Sequence, residues 1–233
     1  MTDGDHSRPS QLSRDSILES ATELVDREGL RQLTMRRLGS WCGVEAMALY
    51  RYVSGREDLV TGIVDRVIDQ LYDDQLQKRD DQLQKRDTEG GWQEYLQRVA
   101  HGFRDIAFEH PELFPLIATR PPEAPWIRPP LRSLKWTETF LSTLGEFGFD
   151  DDAAVSAYKS FTTFLLGHLL LEVSSHGTEI GPEDARRIRS EPPDLSACPN
   201  LRRLQHQLEQ DHGHTEFEVS LENLLDRIEL EVE

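Results

Sequence analysis

At 233 residues the chain is long enough for a small domain plus a larger one, or for one helical body with a small head. Its two cysteines, Cys42 and Cys198, are too few and too far apart for a disulfide framework, and no stretch approaches the ~18 uninterrupted apolar residues of a membrane span. With 43 acids against 26 bases, a net charge of −17, and an N-terminus, MTDGDHSRPSQ, that lacks the apolar run of a secretory leader, the expectation is a soluble cytoplasmic protein in a reducing compartment.

Residues 1–12 read as a flexible tail, with Arg8 and, just past it, Arg14 as its only candidate phosphate contacts. Ile17, Ala21, Leu24 and Val25 then share one face of a helix over about Ser13–Glu28 that Gly29 ends. Thr34 can cap a second helix beginning at Met35, and Leu33 lies where a hydrophobic staple to Leu38 would fix the chain's entry. Leu38 and Cys42 mark its inner face, and Gly43 suits the positive φ of a tight turn. Val44 plugs the angle that follows, Glu45 can cap the next helix, and Leu49 returns an apolar side chain toward the first one. Gly39 faces the place where the two backbones must approach. A short helix of about Ala46–Tyr52 is left with Ala46, Met47, Tyr50 and Arg51 outward, which reads as a binding face.

An ordinary helical hairpin with solvated outer residues shares that pattern. Charge separates the two readings: from Arg27 to Arg56, six arginines stand against Glu28 and Glu45, a net +4 island in an acidic chain. Phosphate neutralisation accounts for such an island, since screening beyond ~8 Å lets local charge act apart from the total. The opposite end, from Glu179 to Glu233, holds fourteen acids and six arginines and reads as a solvated surface.

After Gly55, Leu59, Ile63, Val67 and Leu71 recur at helical spacing and complete a head over residues 13–72, too small to be stable without a body to pack on. The heptad DQLQKRD at 74–80 is repeated at once at 81–87. Leu76 and Leu83 would share a helical face, so residues 73–90 are either a fraying helix extension or a polar linker ending at Gly90-Gly91. Residues 91–233 form the body. Trp92, Leu96, Val99, Phe103 and Ile106 mark a helix that His110-Pro111 breaks, a short helix of about Glu112–Ala118 follows, and the prolines of RPPEAPWIRPP forbid regular structure. Long helices are expected at about Leu131–Phe147 and Asp151–Ser174, the second apolar almost all round. A polar loop at His176–Asn200 precedes helices at about Leu201–Gln210 and around Phe217, Leu221, Leu224, Leu225 and Ile228.

His206, His212 and His214 with Asp211 fall short of a closed four-ligand spacing, and no phosphate loop, GxSxG elbow or HExxH run occurs, so no metal, cofactor or catalytic site is expected. The aromatic residues of the body read first as core packing.

The run Ile17-Leu18, Ala21, Leu24-Val25, Gly29-Leu30, Leu33-Thr34, Arg36, Leu38, Gly43-Val44, Leu49-Tyr50, Val53 and Leu59 resembles the N-terminal domain of tetracycline-repressor (TetR) family regulators, over Ser13 to about Tyr72. The resemblance implies an all-α protein with an N-terminal helix-turn-helix head on a larger helical ligand-binding and dimerisation bundle. It implies that Thr34, Arg36, Tyr50 and Arg51 contact DNA, and that Ala46, Met47 and Ala48 stand where members face base edges. Arg56 takes the place of a common lysine at the start of the fourth helix and keeps its charge, which makes it a further expected DNA contact. Ala46 and Ala48 offer no hydrogen bond, so direct base readout is thinner than usual. The resemblance further implies an apolar effector pocket, for which Phe103, Trp136, Phe140, Tyr158, Phe161 and His168 are candidates. Pattern and likeness together suggest a homodimer interface from Phe161, Leu165, Leu169, Leu221, Leu224, Leu225 and Ile228, though the pattern alone equally fits intrachain core. Tyr72 stands where the tetracycline-binding member has a histidine, which argues against tetracycline as the effector. The expected function is a one-component transcriptional regulator, a repressor that binds a palindromic operator as a dimer and is released by a small organic effector. The rival is a helical ligand-binding or scaffold protein that has lost specific DNA recognition.

Overall fold

The computed structural model describes residues 12–83, 91–119, 126–127, 133–177, 194–210 and 212–232; the tail at 1–11 and most of the proline-dense segment and the polar loop lie outside them. Among the described residues there is no strand. The head consists of α1 (Arg14–Glu28), a 3-10 turn (Leu30–Gln32), α2 (Met35–Trp41), α3 (Ala46–Leu49) and the first half of α4 (Arg56–Leu83). The body contains α5 (Trp92–Glu109), α6 (Phe114–Thr119), α7 (Leu134–Glu146), α8 (Asp151–Gly177), α9 (Pro199–Leu208) and α10 (Gly213–Val232). No helix among the described residues is long and apolar enough to cross a membrane.

Local chemistry places the helix starts. Ser13 and Ser16 form a reciprocal capping box at α1, each hydroxyl accepting from the other residue's backbone N–H, at 3.1 and 2.9 Å. Ser133 caps α7 through the Trp136 N–H, and the Asp150 carboxylate accepts from Ala153 N–H at the start of α8. At α4, one Asp58 carboxylate accepts from Ser54 N–H at 2.8 Å and from the Arg14 guanidinium at 2.6 Å, joining the first turns of α1 and α4. The Arg14 hydrogen bond, then the Ser54 N–H, hold the Asp58 carboxyl down to about 2. A depressed carboxylate stabilises the fold above its unfolded value and loses that contribution only as pH falls through about 2, so this joint persists through mild acid.

One apolar core runs through head and body. Ile17, Leu24, Leu38 and Leu49 are fully buried around Leu59 and Ile63 of α4, and the same helix then buries Val67 and Ile68. At the centre of the body, Trp136 meets Phe103 edge-on at 5.5 Å and lies 5.1 Å from Phe140, which also contacts Tyr158 and Phe161. Helix α10 is keyed in by Phe217, fully buried among Phe164, His168 and His101.

Several boundaries differ from those expected. The recognition helix is a single turn ending at Leu49, because Tyr50 to Tyr52 tighten into 3-10-type turns. Glu45 precedes it without a side-chain cap. Helix α8 continues to Gly177, α9 spans Pro199–Leu208, and α10 spans Gly213–Val232. Of the two alternatives for the tandem heptad, α4 runs through the first copy and reaches Leu83 in the second; residues 84–87 lie outside the described ones. Six of the seven residues suggested for a dimer seam, Phe161, Leu165, Leu169, Leu221, Leu225 and Ile228, are buried within one protomer, and Leu224 is partly buried against the same core. The six buried side chains are covered by their own chain, and Leu224 keeps part of its surface. Val155 and Leu171 qualify the expectation that α8 is buried on every side, for both are exposed.

Phe140→Ala should destabilise the protein by about 3–5 kcal/mol because four aromatic neighbours lose their common contact. Leu208→Ala, on an exposed helix face, should stay within about 0.5 kcal/mol. Urea unfolding of both variants checks the contrast.

Candidate nucleic-acid interface

The helix-turn-helix is built from a short apolar wedge. Leu33, Leu38, Leu49 and Val53 are buried at 2% exposure or less, so each of the two short helices is fixed by side chains rather than by its own length. Thr34 Oγ1 accepts from Arg37 N–H at 3.1 Å, capping α2. The helix ends through Cys42, and Gly43 turns at φ +69°, after which Val44 N–H returns to the Gly39 carbonyl at 2.9 Å. A Cβ on Gly39 would stand 2.9 Å from that Val44 carbonyl oxygen and 3.1 Å from Ala46 N, both backbone atoms that cannot yield. The close approach of α2 and α3 therefore requires glycine there.

This wedge turns the predicted contact residues outward on one side. Met47 is 75% exposed and Tyr50 48%, and Thr34, Arg36 and Arg51 are exposed as well. Ala46 and Ala48 are half-buried, small enough to let the α3 backbone lie close to a surface. Arg36 and Arg51 form no ion pair among the described residues, which leaves both guanidinium groups available to an anion.

The other basic residues of the island do different work. Arg37 is paired with Glu28, which raises the guanidinium's proton affinity and holds the carboxyl below its usual range. The Arg27 and Arg37 guanidinium groups also lie 5.6 and 5.8 Å from the Trp41 ring centroid, a contact whose sequence signal was the Arg37/Trp41 spacing of one helical turn. Arg56 reaches back across the head: Nε donates to the Leu33 carbonyl at 2.9 Å and an Nη to the Leu30 carbonyl at 3.2 Å. It ties the start of α4 to the turn just before α2. Burial pushes the Cys42 thiol up, so this cysteine behaves as a packing residue.

In the body, Phe103, Trp136, Phe140, Tyr158 and Phe161 come together, but as mutually packed rings with at most 4% exposure. His168 stands apart from them, against Phe217 and Phe164, with Nε2 3.9 Å from Glu172 Oε2. A cavity of about 360 Å³ opens instead beside Arg104 and Phe108 of α5, Glu172 of α8 and residues 212–215. Arg104 bonds Glu172 at 2.7 Å and lies over the Phe108 ring at 4.7 Å. Pairing of a half-buried arginine on α5 with a buried glutamate 68 residues away left no local sequence signal. Among the described residues no group of three or more His, Cys, Asp or Glu is placed to hold a metal ion.

The geometry agrees with what the chain resembles. Residues 17–63 match the model of bacterial regulatory proteins of the tetR family, and residues 86–232 match that of the tetracyclin repressor-like C-terminal domain. The HTH-type transcriptional repressor DrrR1 of Streptomyces coeruleorubidus is 28% identical over 195 residues, 81% of this chain. That match spans 66% of the repressor's own length. A solved "possible TetR family transcriptional regulator" from Streptomyces coelicolor A3(2) is 27% identical, with a TM-score of 0.69 over 94% of this chain and 99% of that one. The Streptomyces coelicolor protein ActR in complex with actinorhodin shares the fold, with a TM-score of 0.66, 22% identity, and coverage of 96% of this chain and 98% of that one.

Gly39→Val should push α3 off α2 and Arg56→Ala should free two carbonyls of the preceding turn. Each should lower the melting temperature and speed hydrogen exchange in residues 30–53, while Arg36→Ala should leave both unchanged.

Proposed function

Since the chain belongs to the TetR family of DNA-binding transcriptional regulators, we propose that it is a homodimeric, cytoplasmic repressor whose two heads bind a palindromic operator and release it when a small organic effector enters the body. The observation that carries the DNA reading is the pair Arg36 and Arg51, with no ion pair among the described residues, flanking exposed Met47 and Tyr50 on the outer side of a two-helix wedge. In this reading the recognition turn enters the major groove with Ala46, Met47 and Ala48 toward base edges, Thr34 and Tyr50 donate hydroxyl hydrogen bonds to the backbone, and Arg36 and Arg51 neutralise phosphates. Arg56 acts through the head's geometry, because its guanidinium already serves the Leu30 and Leu33 carbonyls.

Two heads one helical turn apart, about 34–36 Å, require a dimer. Exposed apolar side chains on the outer faces of α8 and α10, Leu171, Val219 and Leu230, support a partner surface on these helices in place of the six buried residues. For the effector we assign the body, with the Arg104–Glu172 cavity as the place a planar molecule bearing polar groups would fit against Phe108. The aromatic cluster around Phe140 is packed core and does not line that cavity. Helix α4 belongs to both cores, so a shift at its body end tilts the head. The scaffold alternative lacks a reason for two unpaired arginines beside exposed Met47 and Tyr50.

Binding to duplex DNA should weaken steeply with salt, and Arg36→Ala and Arg51→Ala should each make the log–log salt slope shallower by ~0.9. Arg56→Ala should weaken binding with little change in slope. Salt-independent binding, or equal slope changes at Arg36 and Arg56, would contradict this assignment. Sedimentation equilibrium at micromolar concentration should show a dimer that Leu171→Arg dissociates; a wild-type monomer would contradict the operator model.

A further inference from the structure

Helix α4 is the covalent connection between head and body, but the two also touch at a second place. The chain leaves α5 at His110, whose N–H closes that helix by donating to the Ile106 carbonyl at 2.8 Å. The His110 carbonyl in turn accepts from Leu113 N–H at 3.0 Å and Phe114 N–H at 2.9 Å, so this residue sets the angle between α5 and α6. Its imidazole, only 8% exposed, points across to α1: Nδ1 lies 2.9 and 3.0 Å from the two carboxylate oxygens of Asp26, 84 residues earlier. Two residues further on, Glu112 Oε2 accepts from Leu30 N–H at 3.4 Å. Leu30 belongs to the turn whose carbonyls Arg56 holds from the other side. The α5–α6 corner thus grips the head at the end of α1 and at the start of the turn that leads into the helix-turn-helix.

The geometry points to Asp26 and His110, seconded by Glu112 and Leu30, as positioning residues that fix the angle of the head on the body. This deepens the repressor reading and rests on it for its DNA readout. A head attached by one helix swings about that helix; a second grip, offset from the first, removes the swing and holds the recognition turn at one angle and distance from the two-fold axis. Because the grip sits on α6, whose Phe114, Ile117 and Ala118 are buried in the body, a rearrangement of the body core reaches the head through α6 as well as through α4.

The charges acting on the imidazole are Asp26 of α1 and Glu109 of α5, with Glu112 at Leu30 and Arg56 on the far side of the same turn. The Asp26 hydrogen bond, against desolvation, raises the His110 proton affinity above the ordinary histidine value. A histidine raised in the docked state contributes fully below its undocked value of about 6.5 and loses its charge assistance as pH rises through the raised value. The grip is therefore strongest in mild acid and relaxes in alkali, which gives a readout that simple loss of packing would not.

Two measurements test this. Without DNA, hydrogen exchange is compared in the wild type and in Asp26→Asn and His110→Ala: both variants should exchange faster at residues 26–33 and 110–114 together, with the rest of α1 protected. With DNA, affinity is measured for a duplex that the wild type selects from a randomised library and for an unselected duplex, from about pH 6 to about pH 9. Asp26→Asn and His110→Ala should lose about tenfold on the selected duplex, far less on the unselected one, and keep the wild-type salt slope. His110→Gln, whose amide can still donate to Asp26, should keep most of the affinity and remove the wild type's excess loss toward alkaline pH. Unchanged exchange at the corner in both variants, or affinity within about twofold of wild type at every pH, overturns the inference. Faster exchange at both ends of the grip combined with no duplex selected by the wild type keeps the joint and overturns the repressor reading instead.

Discussion

Helix α4 has to satisfy two cores at once, and the rest of the molecule is arranged around that requirement. Leu59, Val60, Ile63 and Val64 close the head over Ile17, Leu24 and Leu49, and Val67 and Ile68 continue the same buried stripe away from it. At ~25 cal/mol per Å² of apolar surface, a head of four short elements does not bury enough to be independently stable, and sharing a helix with the body removes that deficit. The same sharing means that the head has no conformation of its own. Its angle follows α4, and the Asp26–His110 contact adds a second point at which the body sets that angle.

Within the head, rigidity comes from side chains locking short pieces. Helix α3 is four residues long, too short to persist by backbone hydrogen bonding, and it holds its place because Leu49 is buried, Gly39 admits its backbone, and Arg56 fastens the turn in front of α2. Within the basic island, Arg37 and Arg56 are tied to Glu28 and to backbone carbonyls, as Arg14 outside it is tied to Asp58, so they shape the surface. Arg36 and Arg51 form no ion pair among the described residues. A net charge of −17 is compatible with this because the acids stand chiefly elsewhere in the sequence and salt screens charges separated by more than ~8 Å.

The sequence made the head legible because its signals are local: Thr34 three residues before the N–H it caps, Gly43 at the positive-φ turn after α2, and Leu33, Leu38 and Leu49 at fixed offsets. The helices of the body were legible from their period, to within a few residues at each end. What lay beyond reach depends on pairs distant in the chain. Arg56 carries the charge of a phosphate contact, and nothing local announces its carbonyl partners 23 and 26 residues earlier. Gly62 in the second turn of α4 gave no hint that a Cβ there would meet the Leu18 side chain of α1 at 2.7 Å. The apolar stripe of α10 fits a dimer seam and an internal core equally well, since periodicity says which residues avoid water and is silent on what covers them. The rings around Trp136 likewise carry the composition of a ligand pocket and the packing of a solid core.

The central claim is that a rigid pair of heads reads two half-sites held at one spacing. Selection of duplexes from a randomised library by the full chain, followed by sequencing, tests it most directly. The account predicts enrichment of an inverted repeat whose half-sites are centred about 10–10.5 base pairs apart, or a small multiple of that, with a single narrow spacing. Enrichment of isolated half-sites, of repeats at many spacings, or of no sequence at all would contradict it.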